Sequence, residues 1–129
     1  ALAACNEDES TKQIGLGPAQ LELALLELRY EMVDGWHTYF HKRKYTESTG
    51  TGVTLQAGKV CAENGKACLS ARVNYRIDGG KDLVQPNHHV ATRLAQDTIT
   101  IEYWGKDDAG NDVRVDKTLT VESEKVEVR

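Results

Sequence analysis

A strict alternation of apolar and polar side chains near the middle of the chain is the feature that most constrains the fold. It runs from Cys68 to Ile77 and has apolar side chains at Leu69, Ala71, Val73, Tyr75 and Ile77. Successive side chains of a strand point to opposite faces, whereas a helix would spread the same residues around its circumference. The pattern therefore predicts a strand with one buried face and one face in water.

Further strands are predicted in the second half of the chain. Residues 98–104 and 112–121 alternate in the same way, and the loop between them is rich in the Asp, Gly and Asn of a tight turn. Val126 and Val128 predict a last edge strand, whose charged neighbours discourage pairing with other chains. Seven to eight short strands joined by turns predict an all-β fold, an antiparallel sandwich. The length of 129 residues and the apolar content of 40% suit a single domain.

The segment from Pro18 to Val33 is ambiguous. It is rich in leucine and glutamate, which favour helix, and Pro18 suits the first turn of a helix. A helix here would carry two apolar stripes and no continuous polar face. A strand with a one-residue slip at Leu25–Leu26 puts the charged residues on one face. We therefore predict a bulged strand, and the alternative is an α+β fold with a helix at about residues 18–33.

The last predicted hairpin resembles a known family. Ile99–Tyr103 is followed by Trp-Gly-Lys-Asp-Asp-Ala-Gly-Asn and, after a short gap, by Thr118–Val121. An aromatic strand, an Asp-x-x-Gly-Asn turn and an alternating Thr/Val strand are similar to the end of bacterial immunoglobulin-like domains. The resemblance covers residues 99–121 and implies that the sandwich is immunoglobulin-like.

The first residues resemble a lipoprotein signal. Leu2-Ala3-Ala4-Cys5 is similar to the lipobox of bacterial lipoproteins, in which the chain is cut before the cysteine and the cysteine is lipidated. The resemblance implies that Cys5 carries acyl chains, which anchor a protein without a membrane-spanning segment. Asn6 stands where an aspartate would imply retention in the inner membrane, so the resemblance implies the outer membrane. The expected location is the bacterial cell envelope, either periplasmic or surface-exposed.

This interpretation divides the chain into three parts. Residues 1–4 are the remnant of a signal peptide, residues 5–16 form a polar tether and residues 17–129 form the sandwich domain. No apolar run approaches the length of a membrane-spanning helix. Contact with a membrane is therefore expected through the lipid anchor alone.

The two remaining cysteines are predicted to form a disulfide. Between Cys61 and Cys68 lies Asn64-Gly65, a strong signal for a hairpin turn. A hairpin centred on this dipeptide brings the two cysteines together across the strands. A disulfide suits an oxidising compartment such as the cell envelope, whereas a zinc site would need a second pair of ligands.

The chain has no recognisable catalytic motif. It lacks the patterns of a serine nucleophile and of a phosphate-binding loop, so an enzyme is less expected than a binding protein, and no cofactor and no metal are expected. An alternative function is a small periplasmic metal-binding protein or hydrolase that uses the histidines His37, His41, His88 and His89. Calcium binding stays open for the loop residues Asp107, Asp108, Asn111 and Asp112.

Aromatic and basic side chains supply the candidate contact residues. Those predicted to meet a partner are Trp36, Tyr39, Phe40, Arg43 and Trp104. The formal charge of −4 argues against nucleic acid. The sequence thus predicts an envelope-anchored binding lipoprotein that presents its sandwich to a partner protein or to a cell-wall or surface glycan. Its role would be that of an assembly accessory, an inhibitor or a subunit of a surface structure.

Overall fold

The structure is a computed structural model that describes residues 12–129, and in this range it contains eight strands and no helix. The strands are β1 (Leu21–Val33), β2 (Trp36–Glu47), β3 (Val53–Ala62), β4 (Ala67–Ile77), β5 (Asp82–Thr92), β6 (Gln96–Asp107), β7 (Asp112–Glu122) and β8 (Lys125–Val128). No helix within residues 12–129 could therefore cross a membrane. The predicted signal remnant and the predicted lipidation site at Cys5 lie outside the described residues.

The strands form two antiparallel sheets, which confirms the predicted immunoglobulin-like sandwich. The small sheet has the order β1-β2-β5, and the large sheet has the order β4-β3-β6-β7-β8. In a constant-type immunoglobulin domain the fourth strand joins the sheet of the first two strands. Here β4 pairs with β3 in the large sheet instead. The small sheet consequently has no strand on the free side of β5.

The core lies between the sheets and is built by alternation along the strands. Its fully buried side chains are Tyr39, Tyr45, Val53, Leu55, Ile77, Ile99, Ile101 and Leu119. Polar side chains occupy the intervening positions of β6 and β7, as the sequence pattern predicts. Burial of apolar area at about 25 cal/mol per Å² is the main force that holds the two sheets together.

The ambiguous first segment is a strand, so the helical alternative is wrong. β1 pairs with β2 along its whole length, and the register shifts between Leu26 and Arg29. Glu27, inside this bulge, has a φ of 53°. The bulge lets apolar side chains return to the inner face after the slip that the sequence predicts at Leu25–Leu26. Pairing with β2 outweighs the intrinsic helix propensity of the segment.

The hairpin between β3 and β4 joins the two cysteines. Cys61 lies directly opposite Cys68, and their sulfur atoms are at bonding distance, which confirms the predicted disulfide. The hairpin is centred on Asn64-Gly65 as predicted, because Ala62 pairs with Ala67. Within its four-residue loop, Gly65 donates its amide hydrogen to the carbonyl of Ala62, and Lys66 donates to that of Glu63. Glu63, Asn64 and Gly65 have positive φ values of 53°, 55° and 88°.

A buried carboxylate from another strand selects this turn. Asp97 accepts hydrogen bonds from the backbone amides of Glu63 at 2.7 Å and Asn64 at 2.8 Å. Burial raises the pKa of Asp97, but these bonds and that of Thr92 outweigh it, and the net pKa is lowered. Asp97 thus helps to hold the turn that the Asn-Gly dipeptide predicts.

Part of the predicted tether belongs to the folded domain. Gln13 donates its amide hydrogen to Asp108 and accepts one from Gly52, and Leu16 donates to Thr49. Residues 13–16 therefore pack on the end of the sandwich where β2 and β4 finish. We call this end the base. Residues 13–16 therefore belong to the folded domain and not to a tether, because polar backbone groups of the loops at the base need these partners.

Candidate functional site

A large apolar cleft opens between the two sheets at the end opposite the base. Its volume is about 1080 Å³, slightly above the usual range of small-molecule pockets. It is lined by parts of the β1–β2 and β3–β4 hairpins and by the adjoining strands. The residues that define it best are Val33, Trp36, Phe40, Gly58, Val60, Ala62, Leu69, Ala71, Val73, Tyr75, His89, Val90, Ala91, Thr92 and Tyr103.

The cleft exists because the small sheet does not cover the edge of the large one. Ile101, Val60 and Leu69 lie side by side on three neighbouring strands and face the same way. Ile101 is fully buried, Val60 is half-buried and Leu69 is 82% exposed. Burial therefore falls steadily toward β4. The missing neighbour of β5 would lie over Leu69.

Both walls of the cleft end in an unpaired strand edge. β4 and β5 are the outermost strands of their sheets on this side, and each has one free row of backbone amides and carbonyls. The stretch Ala67–Arg72 pairs with β3 without a bulge, and His89–Thr92 contains no proline. Pro86 and the register shift of β5 lie nearer the base. The edges next to the cleft thus lack the usual protection against strand pairing.

Three tyrosines close the cleft toward the base. Tyr103 lies 6.0 Å from Tyr45 and 5.5 Å from Tyr75, measured between ring centroids. A Cβ atom at Gly58 would come within 2.2 Å of the Tyr103 ring, so glycine is needed there for the ring to lie flat on β3. Tyr75 and Tyr103 both line the cleft.

A buried arginine stands behind these tyrosines. Arg43 is 2% exposed, and its Nη1 donates a hydrogen bond to the Tyr103 hydroxyl at 2.7 Å. Its Nε donates to Nε2 of His41 at 3.0 Å. No carboxylate of the described residues lies within ion-pair distance of Arg43. Its positive charge is therefore held by neutral groups alone, which is costly in a protein interior.

The histidine beside Arg43 is neutral and has a defined tautomer. Nδ1 of His41 lies 3.0 Å from the carbonyl of Tyr39, and its Nε2 accepts from Arg43, so the proton is on Nδ1. Burial, and then the charge of Arg43, lower the pKa of His41 to about 4. The same two causes lower the pKa of His88, stacked on His41 at 6.3 Å, to about 4. At neutral pH both rings are uncharged, so they neither balance nor add to the positive charge of Arg43.

Two of the five predicted contact residues are not at the surface. Tyr39 and Arg43 are buried with exposures of 0% and 2%, so the prediction that they meet a partner directly on the surface is wrong. They lie on the core face of β2 together with His41 and Tyr45. The run of basic residues around Arg43 is typical of an exposed strand, so the sequence pattern did not indicate that this side chain points inward.

The other three predicted contact residues are accessible. Trp36 and Phe40 border the cleft but lie on the opposite face of β2 from Tyr39. Phe40 carries the guanidinium of Arg29 at 4.5 Å and Trp36 that of Arg93 at 4.2 Å, each measured to the ring centroid. Trp104 is 38% exposed and lies outside the cleft, on the outer face of the large sheet. Whether these residues bind a partner stays a prediction.

Two of the four candidate metal-ligating histidines are engaged with the protein itself. His37 shares a hydrogen bond with the Tyr30 hydroxyl at 2.7 Å, and both ring nitrogens of His41 are in use. Among residues 12–129, no three His, Cys, Asp or Glu side chains are grouped to hold an ion.

The carboxylates proposed as calcium ligands are likewise engaged. Asp107 accepts backbone hydrogen bonds from Ala19, Ala109 and Asn111, and Asp108 forms a two-bond pair with Arg76. Asp112 pairs with Lys106. Each of these side chains has a structural role in the turn or at the base.

Comparisons with known proteins agree on the fold and add no activity. No protein-family model matches the chain, and no curated protein matches it in sequence. Among solved structures, it is similar to one assigned as the ApaA protein from Bordetella pertussis, with a TM-score of 0.60. The match has 10% sequence identity and covers 88% of this chain and 94% of that one. At this identity the likeness shows a shared β-sandwich and nothing about function.

Proposed function

We propose that this protein is an envelope-anchored binding lipoprotein that receives an extended segment of a partner protein in its cleft. The observation that carries the proposal is the uncovered inner face of β4 next to the free edge of β5. Leu69 is 82% exposed there, although it lies on the face that is buried elsewhere in the large sheet. A strand added to β5 would cover Leu69 and complete the small sheet.

An extended polypeptide suits both the free backbone edge of β5 and the apolar cleft beside it. Its backbone would pair with the free amides and carbonyls of β5, and every second side chain would enter the apolar cleft. A cell-wall polymer could cover the apolar face but offers no row of amides at strand spacing. We therefore prefer a protein partner to a glycan. No arrangement of side chains among the described residues favours the metal-binding or hydrolase alternative.

The position of the first described residues supports the proposed anchor. Gln13 is bound at the base, whereas the cleft lies at the opposite end of the sandwich. A lipid on Cys5 would therefore place the base toward the membrane and leave the cleft open to the periplasm or the cell exterior. The outer membrane remains the proposed location, on the resemblance of residues 2–6 to a lipoprotein signal.

The anchor is tested by the mass and the membrane partitioning of the protein made in a bacterium with a lipoprotein leader. We expect a lipid adduct on a peptide that starts at Cys5, and extraction into the detergent phase. Cys5→Ser should move the protein to the aqueous phase. An unmodified Cys5 in the envelope fraction would contradict the proposed anchor and would leave the cleft proposal intact.

The cleft is tested by the capture of partners from solubilised envelope on the immobilised full chain. Leu69→Lys puts a charge on the apolar face, and we expect it to reduce the specifically bound partner at least tenfold, which corresponds to about 1.4 kcal/mol. The matched control is Leu26→Lys, which charges a leucine of 38% exposure on β1, outside the cleft. It should bind like the wild type. Equal capture by the wild type and Leu69→Lys would contradict the proposal.

A further inference from the structure

Arg43 is the buried charged group that the fold itself does not explain. It is 2% exposed, and of its five N–H groups one bonds to Tyr103 and one to His41. The other buried side chains that are charged at neutral pH are the carboxylates of Glu47, Asp97 and Asp107, and each accepts several backbone amide hydrogens. Arg43 has no carboxylate within ion-pair distance among residues 12–129, and its hydrogen-bond partners are two neutral side chains. A site with an unbalanced buried charge commonly serves a ligand.

The groups around Arg43 cannot supply the missing negative charge. His41 and His88 are neutral at pH 7, and protonation would make them positive. Tyr103 accepts a hydrogen bond from the guanidinium, which lies 5.8 Å from the centroid of its ring, and Tyr45 lies beside Tyr103. Burial raises the pKa of Tyr45 and Tyr103. The hydroxyls of these two tyrosines therefore stay neutral at physiological pH.

The charge is connected to the cleft through one hydroxyl. The Tyr103 hydroxyl accepts a hydrogen bond from Arg43, and Tyr103 is one of the residues that line the cleft. A hydroxyl that accepts from a cation becomes a stronger donor, because hydrogen bonds in a chain polarise one another. The cleft is thus lined by a tyrosine whose hydroxyl is polarised by a buried positive charge. Such a hydroxyl suits a carboxylate.

We propose that the partner segment in the cleft carries an acidic side chain that is directed between the sheets and paired with Arg43 through the Tyr103 hydroxyl. This inference rests on the proposed addition of a strand to β5 and names the chemistry of that strand. Its inward residues are apolar where they cover Leu69 and Ala71. One inward residue near the Tyr103 end is aspartate or glutamate.

Charge complementarity favours this occupant over a neutral strand or a second copy of β4. A neutral strand would seal the arginine further from water without balancing its charge, which increases the cost of burial. A carboxylate would instead form a charge-assisted hydrogen bond, about twice as strong as a neutral one. Of the candidate strands within the described part of this chain, β4 has only arginine as a charged residue, at positions 72 and 76, so a second copy of β4 would add a like charge.

The test uses the full chain and short synthetic peptides that alternate valine and threonine. In one series a single glutamate is moved through the inward positions, and in the matched series glutamine replaces it. Fluorescence anisotropy gives the dissociation constants. We expect at least one glutamate peptide to bind about tenfold or more tightly than its glutamine twin, the effect of one hydrogen bond to a charged group.

Three variants test whether the preference for glutamate depends on Arg43 and Tyr103. Arg43→Met keeps the length of the side chain without the charge, and should abolish the preference for glutamate while both peptides still bind. Tyr103→Phe keeps the cation and should reduce the preference severalfold. Tyr39→Phe removes a buried hydroxyl that bonds to the Ser123 carbonyl, away from the cleft, and should leave the preference unchanged. Near-ultraviolet circular dichroism verifies that each variant is folded.

The outcomes separate this inference from the proposed function. If glutamate and glutamine peptides bind equally at every position, the proposed acidic side chain is contradicted, and the proposed addition of a strand to β5 is unaffected. If no peptide binds, both are overturned. If dodecanoate binds in an Arg43-dependent way and no peptide does, the carboxylate site exists but its occupant is a fatty acid and not a protein. A preference for glutamate that persists in Arg43→Met would place the recognition elsewhere.

Discussion

Glu47→Ala is expected to lower the free energy of unfolding by about 4 kcal/mol. Glu47 is 1% exposed and sits at the base, where three separate segments meet. Its carboxylate accepts hydrogen bonds from the backbone amides of Gln20, Thr49, Gly50 and Gly80. Alanine would leave all four amides without their acceptor. Urea unfolding followed by tryptophan fluorescence measures the loss.

The pKa of Glu47 reports how strongly these amides hold the carboxylate. Burial by itself raises the pKa, but the amides of Thr49, Gln20 and Gly80 outweigh it and lower the pKa to about 2. Glu47→Gln keeps the shape but turns a donor toward the amides, so we expect a loss of about 2 kcal/mol. The control is Glu122→Ala, an exposed carboxylate on β7, which should change stability by less than about 0.5 kcal/mol. A loss of under about 1 kcal/mol for Glu47→Ala would contradict this account.

A decrease of pH from about 7 to about 4.5 is expected to destabilise the protein by about 2.5 kcal/mol through His41 alone. Its pKa is about 4 in the fold and 6.5 in the unfolded chain. The unfolded chain therefore takes up a proton first as the pH falls. The stabilisation is complete above about pH 6.5 and is lost toward pH 4, where Glu47 is still ionised. His88 adds to the loss in the same direction.

The substitution His41→Gln separates this titration from that of the carboxylates. Glutamine keeps a donor and an acceptor but has no proton to take up in this range, so the loss of stability between about pH 7 and about pH 4.5 should be smaller by about 2.5 kcal/mol. The same substitution at His89, which is exposed next to His88, should retain the fall seen in the wild type. The free energy of unfolding in urea at each pH gives both slopes. An unchanged slope in His41→Gln would contradict a buried neutral histidine.

The β-sandwich was predictable because alternation is a local property. The strand that contains Leu69 and the strand that contains Ile99 each place an apolar side chain at every second position, and this pattern needs no knowledge of the neighbours. The disulfide was predictable for a similar reason, since a hairpin of short length has few ways to close. Even the bulge near Glu27 is visible as a slip in the apolar pattern.

The candidate site was not predictable in the same way. Arg43 stands between two lysines, and nothing in this local pattern indicates that its side chain enters the core. Its burial follows from its position on the core face of β2, between His41 and Tyr45, and from the Tyr103 ring, which packs on Gly58 and accepts its hydrogen bond. The exposure of Leu69 depends on which sheet β4 joins. β4 joins the large sheet by pairing with β3, and no strand of the small sheet lies beyond β5 to cover Leu69.

By itself, then, the sequence determined that the chain forms an antiparallel sandwich with a disulfide-closed hairpin, because periodicity and turn chemistry act over a few residues. Only the tertiary structure decided that the small sheet is one strand short beside β5, that Leu69 faces an open cleft, and that Arg43 is buried without a counter-charge behind Tyr103. The physical reason is that burial and charge balance are sums over neighbours from distant parts of the chain. Burial and charge balance are therefore determined only once the strands have paired.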